Sequence, residues 1–195
     1  MNIRTDWTLE EIREIYNRPL LDLMFEAATI HRENNAYGEV QISSLISIKT
    51  GGCKEDCSYC PQSIKFNTDI TVHPLMQLAE VKRKALTAKE NGASRVCMGA
   101  SWREVRDNRD FDRVLEMVKE VNDMGIEVCC TLGMLTYEQA QKLKESGCFA
   151  YNHNIDTSRD YYDKIITTRN FDDRLETLDN VRKAQMTVCC GGIIG

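Results

Sequence analysis

Beyond residue 39, short apolar strands alternate with amphipathic helices, and this alternation limits the possible folds more than any other feature of the sequence. Gly92, Gly125 and Gly147 each come at or just after the end of a helical segment, where glycine commonly ends a helix. The predicted strands span residues 40–48, 95–98, 126–132, 148–155 and 188–194, and the predicted helices span 80–90, 111–124, 136–147 and 171–184. Strands joined by helical crossovers run parallel, so the sequence predicts an α/β fold.

Two architectures contain such a sheet, the doubly wound sheet and the TIM-type (β/α)8 barrel, and both bind ligands at the carboxyl ends of the strands. No early G-x-G-x-x-G motif follows a strand, which argues against a dinucleotide-binding doubly wound sheet and favours the barrel. A complete barrel typically needs about 250 residues, whereas this chain has 195 and stops directly after the strand 188–194. We therefore expect a barrel truncated after its fifth strand, with an exposed edge.

A helical extension precedes the first strand. Thr8 and Glu11 have the spacing of a capping box, and an apolar helical pattern resumes from Leu20 after Pro19 interrupts it. The sequence predicts two parts, an N-terminal helical extension at 1–38 and a partial barrel at 39–195.

The charge balance disfavours polyanionic partners. The chain has 25 Lys and Arg against 30 Asp and Glu, a net charge of -5, so it lacks the basic footprint of a nucleic-acid or anionic membrane partner. No apolar run approaches the roughly 20 residues that span a bilayer, and the first residues lack the pattern of a secretory signal. These features predict a cytoplasmic protein.

Cysteine is the residue type that departs most from an average composition. The chain has 9 cysteines, an odd number that does not suit a disulfide framework and suggests metal binding in a reducing compartment. Cys53, Cys57 and Cys60 form a C-x3-C-x2-C triplet in the loop after the first strand. Soft thiolate ligands select zinc or an iron-sulfur cluster. A structural zinc site wants four ligands, so three cysteines favour a 4Fe-4S cluster with one iron left open.

Three further strands carry cysteine near the same depth: Cys97, the pair Cys129 and Cys130, and the pair Cys189 and Cys190. Inward side chains of barrel strands share layers, so one cysteine from each strand can converge on a second metal site. Adjacent residues on a strand point to opposite faces, so only one member of each pair can face inward, and spacing alone does not say which. Cys148, at the start of its strand, is interpreted as structural.

An aromatic residue, Tyr59, stands before the last cysteine of the triplet, and this arrangement resembles the signature of the radical S-adenosylmethionine (SAM) superfamily. Within it, the chain from Leu20 onward resembles the biotin synthase family. The matching segments, in order, are SSLISIKTGGCKEDCSYCPQS, VCMGAS, C-x-TLG, YNHNIDTS, IITTR and VCCGGIIG.

The resemblance implies a set of cofactors and their ligands. The open iron of a 4Fe-4S cluster would bind SAM, whose reductive cleavage gives a 5'-deoxyadenosyl radical, and Tyr59 would contact the adenine. Alignment on TLG and GGI selects Cys129 and Cys189, so a 2Fe-2S cluster would be held by Cys97, Cys129 and Cys189 with an arginine outside this sequence.

The resemblance also implies roles for the YNHNID segment and the last glycines. Asn154 and Asp156 would bind the ribose of SAM and Asn152 the ureido ring of the substrate, although side chains of these types also cap turns and helices. Alternation along a strand places His153 on the other face. Gly191 and Gly192, with Gly195, would lie beside the methionine part of SAM.

The implied reaction is sulfur insertion into dethiobiotin to give biotin, with the 2Fe-2S cluster as sulfur donor. A flavodoxin- or ferredoxin-type reductant and a homodimer are the implied partners. One alternative is another radical SAM enzyme with an auxiliary cluster, of lipoyl synthase-like or hydrogenase-maturation-like type. Another is a non-catalytic iron-sulfur electron-transfer module. The polypeptide as given is expected to be inactive.

Overall fold

One sheet of five parallel strands organises the part of the chain that the computed structural model describes, residues 4–36 and 38–194. Each strand pairs with the next along the chain. Sequential parallel order is that of a (β/α)8 barrel, whereas the order of a doubly wound sheet reverses. The predicted α/β fold with barrel-type topology is thus confirmed. The strands are β1 (Ser43–Lys49), β2 (Arg95–Ala100), β3 (Glu127–Thr131), β4 (Cys148–Asn152) and β5 (Thr187–Cys189).

Helices fill the connections after β1, β2, β3 and β4. They are α3 (Leu78–Glu90), α4 (Arg109–Asp123), α5 (Tyr137–Glu145), α6 (Tyr162–Ile165) and α7 (Phe171–Lys183), with a 3-10 turn at Arg159–Tyr161 before α6. Side chains cap α4, α5 and α7 at their N-termini: Asn108, Thr136 and Asn170 accept hydrogen bonds from the first-turn backbone. Within the described ranges, no helix has both the length and the apolar character needed to cross a membrane.

The chain divides into two units, Met1–Val40 and Gln41–Gly195. The first unit contains α1 (Leu9–Tyr16) and α2 (Leu20–Asn34). The predicted capping box at α1 is present, since Thr8 and Glu11 exchange hydrogen bonds. The proposed division at 1–38 and 39–195 includes residues 1–3, 37 and 195, which lie outside the described part of the chain.

The hydrophobic core of the second unit lies between the sheet and its helices. Val96 and Met98 of β2 and Val128 and Cys130 of β3 are fully buried on this face. The apolar stripe of α4 packs in the same cluster; its buried members are Phe111, Val114, Met117, Val118 and Val121. The alternate residues of β2 and β3, Cys97 and Cys129 among them, therefore face the other side of the sheet.

The structure corrects two predicted strands. Strand β4 ends at Asn152 rather than at residue 155, and β5 ends at Cys189 rather than at residue 194. Beyond β4 and β5 the two segments stay together through hydrogen bonds to the Gly191 carbonyl and an isolated parallel bridge between Asp156 and Gly192. Asp156 has a positive φ of 66°, outside the extended backbone region of a strand. The predictions also missed the helical residues of 159–165, whose short length hides any periodicity.

The loop after β3 is held tightly over the carboxyl end of the sheet. The Tyr151 hydroxyl, fully buried, accepts from the Leu132 N–H at 3.1 Å and donates to the Gly133 carbonyl at 2.6 Å. Gly133 has a φ of +87°, and a Cβ there would lie 2.5 Å from the Arg103 carbonyl oxygen. Only glycine fits this turn, which brings the loops after β2 and β3 together.

Candidate functional site

A cavity of about 440 Å³ opens at the carboxyl ends of β1 to β4. The three cysteines of the triplet line it together with Tyr59. Three polar residues at and just after the end of β4 also line it: Asn152, Asn154 and Asp156. The structure therefore brings together residues about 90 to 100 positions apart, at the end of the sheet where barrel proteins bind ligands.

The triplet lies on a loop closed by its own backbone. The Cys53 N–H donates to the Gln62 carbonyl at 3.0 Å, and the Cys53 carbonyl accepts from Ile64 N–H at 2.9 Å. A turn with a hydrogen bond of 2.9 Å from Cys60 N–H to the Cys57 carbonyl sets the spacing of the last two cysteines. Cys57 is buried, while Cys53 and Cys60 are half-buried.

The cysteine loop docks onto residues 165–168 through one carboxylate. Asp56 accepts hydrogen bonds from Thr167 N–H at 2.9 Å and Thr168 N–H at 3.2 Å, and from both threonine hydroxyls. The Ser58 N–H donates to the Ile165 carbonyl at 3.0 Å. Burial raises the pKa of Asp56, but the hydrogen bonds from the two threonines outweigh it and lower the pKa to about 2.

Two arginines with buried side chains line the cavity and meet at one hydroxyl. Arg169 Nε donates to Tyr162 Oη at 3.2 Å and Arg174 Nε donates to the same oxygen at 3.1 Å. Arg169 Nη2 also donates to Cys57 Sγ at 3.4 Å, and Arg174 Nη2 forms an ion pair with Asp156. Through these two arginines, the Tyr162 hydroxyl connects Cys57 of the triplet with Asp156, the carboxylate that the resemblance assigns to the ribose of SAM.

Glu55, in the cysteine loop, is almost fully buried and balances this positive charge. Its carboxylate lies 3.7 Å from Arg169 Nη1 and accepts a hydrogen bond from the Thr168 hydroxyl. Glu55 Oε1 and Arg103 Nε are 3.2 Å apart, yet they are not aligned as a hydrogen bond, and neither atom has a hydrogen-bond partner. The pair therefore interacts through charge rather than through a directed bond.

The segment after β4 differs from the strand that was predicted. Because β4 ends at Asn152, strict alternation does not apply to residues 153–156, and His153 lines the cavity beside Asn152 and Asn154, contrary to the prediction of opposite faces. Asn152 Oδ1 is buried without a hydrogen-bond partner, so it has an unused acceptor at the cavity wall.

His153 is buried against Arg174, whose Nη1 lies 3.4 Å from Nε2 of the ring. Burial, reinforced by the positive charges of Arg174 and Arg169, lowers the pKa of His153 to about 3. The ring is therefore neutral at physiological pH, as expected for a histidine with a structural role.

The glycine segment runs beside the end of the YNHNID segment. The Gly191 carbonyl accepts from the backbone N–H groups of Ile155 and Asp156, and Ile193 N–H donates to the Asp156 carbonyl at 2.7 Å. A Cβ at Gly191 would lie 3.7 Å from Asn154 Oδ1. Gly191 and Gly192 are thus placed next to the two residues proposed for the ribose, and Gly195 lies outside the described residues.

The strand cysteines divide between the two faces of the sheet. Cys97 pairs in register with Cys129, while Cys130 pairs with Met98 in the helix-covered core, where Cys148 also lies. Burial raises the pKa of Cys129, and the nearby thiols of Cys97 and Cys189 raise it further. Cys97 and Cys129 are therefore neighbours on the face opposite the helices.

In the second pair, Cys189 pairs with Asn152 in the ladder between β4 and β5. Asn152 lies two residues after Ala150, which pairs with Cys129, so Cys189 faces the same side of the sheet as Cys129. Both Cys189 and Cys190 are exposed. Cys190 lies beyond the end of β5.

No three His, Cys, Asp or Glu side chains among residues 4–36 and 38–194 converge as ligands of one metal ion. A cubane cluster does not require such convergence, because each of its cysteines binds a different iron. The donor set of the triplet fits a cluster: three soft sulfur ligands on one loop, facing a cavity with an unused buried acceptor at Asn152.

Comparison with known proteins decides the family. The model of the Radical SAM superfamily matches residues 47–195, which include the triplet, the end of β1 and all of β2 to β5. The chain belongs to the radical SAM superfamily.

Curated relatives narrow the resemblance to one kind of radical SAM protein. The chain is 64% identical to the biotin synthase of Cytophaga hutchinsonii, over 99% of this chain and 57% of that protein. It is 58% identical to the biotin synthase of Flavobacterium johnsoniae, over 100% of this chain and 54% of that protein. The chain thus spans about half the length of the curated relatives it matches.

Two solved structures share the fold. The FeFe-hydrogenase maturase HydG from Carboxydothermus hydrogenoformans superposes with a TM-score of 0.77 at 17% identity, over 97% of this chain and 45% of that one. Methylornithine synthase (PylB) superposes with a TM-score of 0.75 at 19% identity, over 95% of this chain and 54% of that one. At these identities the likeness concerns the fold alone.

Sequence analysis named the segment IITTR, which ends at Arg169, but it assigned no role to Arg169 or to Arg174. Arg169 and Arg174 are 112 and 117 positions from Cys57, and neither belongs to a spacing motif. Thr167, Thr168 and Arg169 form a polar run directly after two isoleucines. That run between predicted elements was the available signal, since loops in a barrel carry the site residues.

Proposed function

We propose that this chain supplies the cluster and SAM sites, and part of the substrate site, of a biotin synthase that inserts sulfur into dethiobiotin. The observation that carries the proposal is the convergence of the triplet, Tyr59 and the residues Asn152, Asn154 and Asp156 on one cavity. The identity of 64% to a curated biotin synthase supports the choice among radical SAM reactions.

Each part of the cavity has a distinct task in this proposal. Cys53, Cys57 and Cys60 would hold the 4Fe-4S cluster, which together with SAM supplies the radical that abstracts hydrogen from the substrate. Tyr59 would contact the adenine, and Asn154 and Asp156 would receive the ribose hydroxyls beside Gly191 and Gly192. Asn152 offers its unpaired carbonyl oxygen to a ureido N–H.

A second cluster forms the further part of the proposal. Cys97 and Cys129 are neighbours in the ladder between β2 and β3, and Cys189 faces the same side of the sheet. Soft sulfur ligands of this kind suit a 2Fe-2S cluster as sulfur donor. All nine cysteines lie within the described residues as free thiols, which suits a reducing, cytoplasmic setting. A homodimer and a flavodoxin- or ferredoxin-type reductant complete the proposal.

The test is anaerobic reconstitution of a full-length protein that carries this chain, with iron and sulfide, followed by EPR and by measurement of SAM cleavage after reduction with dithionite. Cys53→Ala, Cys57→Ala and Cys60→Ala should each abolish cleavage, because each removes one ligand of the 4Fe-4S cluster. Cys148→Ala is the matched control, since Cys148 is buried on the helix side, and it should retain cleavage.

Retained cleavage in any triplet variant would contradict the ligand assignment. Reversible reduction of the wild-type cluster without any SAM cleavage would favour the electron-transfer module instead. Formation of biotin from dethiobiotin, followed by mass spectrometry, distinguishes the proposed reaction from that of another radical SAM enzyme.

A further inference from the structure

Arg169 is the charged side chain that contacts the sulfur of a triplet cysteine through a directed bond. Its Nη2 donates to Cys57 Sγ at 3.4 Å, and its side chain is only 5% exposed. Water and salt therefore screen its charge little. Nothing in the role of the triplet as ligand requires such a bond, so its effect must be sought in the properties of the bound group.

The orientation of Arg169 is set from two sides. Its Nε donates to the buried Tyr162 hydroxyl at 3.2 Å, and its Nη1 lies 3.7 Å from the buried carboxylate of Glu55. Tyr162 is itself fixed by an edge-on contact with the Phe171 ring at 5.6 Å and by packing against Cys57 and Ile166. The guanidinium therefore has one arrangement that satisfies its partners, with Nη2 aimed at the sulfur.

We propose that Arg169 raises the reduction potential of the cluster held by the triplet, through its hydrogen bond to Cys57, and that Tyr162 is the positioning residue that aims it. Hydrogen bonds to cluster sulfurs and nearby positive charge both stabilise the more negative, reduced state. This inference rests on the proposed function, since it requires a cluster at the triplet.

The test is redox titration followed by EPR, with the protein reconstituted anaerobically. Arg169→Met removes both the N–H donor and the charge and should shift the midpoint potential to more negative values. Arg169→Lys keeps the charge without the planar fork and should give a smaller shift in the same direction. Tyr162→Phe keeps the ring but removes the acceptor that orients Arg169, and it should also give a negative shift smaller than that of Arg169→Met.

Arg182→Met is the matched control, because Arg182 is an exposed arginine on α7. The midpoint potential of the cluster in this variant should equal that in the wild type. Iron and sulfide content and thermal melting are measured on every variant, so that the potential is compared only among folded, loaded proteins. If Arg169→Met takes up no cluster, the potentials of Arg169→Lys and Tyr162→Phe are compared with that of the wild type instead.

The outcomes separate the two proposals. If the cluster has the same midpoint potential in the wild type and in the loaded Arg169 and Tyr162 variants, the proposed role of Arg169 is wrong. The proposed function is not affected by that result. A wild type that takes up no cluster would overturn the proposed function, and the inference with it.

Discussion

Single residues on β3 illustrate how closely a functional position and a structural position can lie. Cys129 and Cys130 are neighbours in the chain and both are buried, but Cys129 approaches Cys97 whereas Cys130 packs against the helices. The pleat of the strand alone separates them. A substitution at one site should therefore change metal content, and the same substitution at the other should change stability.

In the full-length protein, we expect Cys129→Ala to lose the 2Fe-2S absorbance and the corresponding iron, because it removes a proposed ligand. Cys130→Ala should keep the absorbance and lower the free energy of unfolding by about 1 kcal/mol, because it removes buried volume. Visible spectroscopy and urea unfolding of both variants make the comparison. Loss of absorbance in Cys130→Ala alone would show that the assigned register is wrong.

At the scale of elements, the cysteine loop is held by a segment more than a hundred residues away in sequence. Asp56 satisfies two backbone N–H groups and two hydroxyls of Thr167 and Thr168. Neither the loop nor the segment 165–168 is a helix or strand throughout, so neither has a complete backbone ladder of its own. Side-chain hydrogen bonds between the two are what order them.

Asp56→Ala should loosen both segments without unfolding the barrel. We expect faster amide exchange at residues 53–64 and 165–169, measured by mass spectrometry, and weaker retention of iron by about tenfold or more, the effect typical of losing an outer-shell partner. Asp69→Ala, a change at an exposed carboxylate in the same connection, should leave both measurements unchanged. Equal amide exchange in Asp56→Ala and Asp69→Ala would show that Asp56 does not hold the two segments together.

At the scale of the whole molecule, His153 links stability to pH. Its pKa is about 3 in the folded protein, lowered first by burial and then by Arg174 and Arg169, and about 6.5 in an unfolded chain. Between these values the unfolded state binds the additional proton, so the free energy of unfolding decreases as the pH falls below 6.5. The slope from this residue approaches about 1.4 kcal/mol per pH unit.

His153→Gln should lack this contribution, so its stability should fall less steeply between pH 6.5 and pH 5. Urea unfolding at several pH values measures the difference in slope. His73→Gln serves as the control at an exposed histidine and should keep the wild-type slope. Parallel curves for wild type and His153→Gln would mean that the ring is not kept neutral by the fold.

Much of the fold could be read from local patterns. The order of the strands and the long helices, the capping box at Thr8 and the glycines after the helices depend on nearest neighbours along the chain, and these features appear as expected. The triplet was equally visible, because its spacing is local. The ends of β4 and β5 were not, because they depend on where Asp156 meets Gly191, a contact between segments 35 positions apart.

The sequence by itself therefore determined the barrel-type topology, the cysteine triplet and the segments that surround it, since each is encoded in spacing over a few residues. Spacing left open which cysteine of the β3 pair faces Cys97; the resemblance selected Cys129, and only the register of adjacent strands in the tertiary structure places it beside Cys97. The tertiary structure alone brought Arg169 to Cys57, 112 positions away. Such a contact has no local signature, because it forms where parallel strands place the loops at their carboxyl ends together.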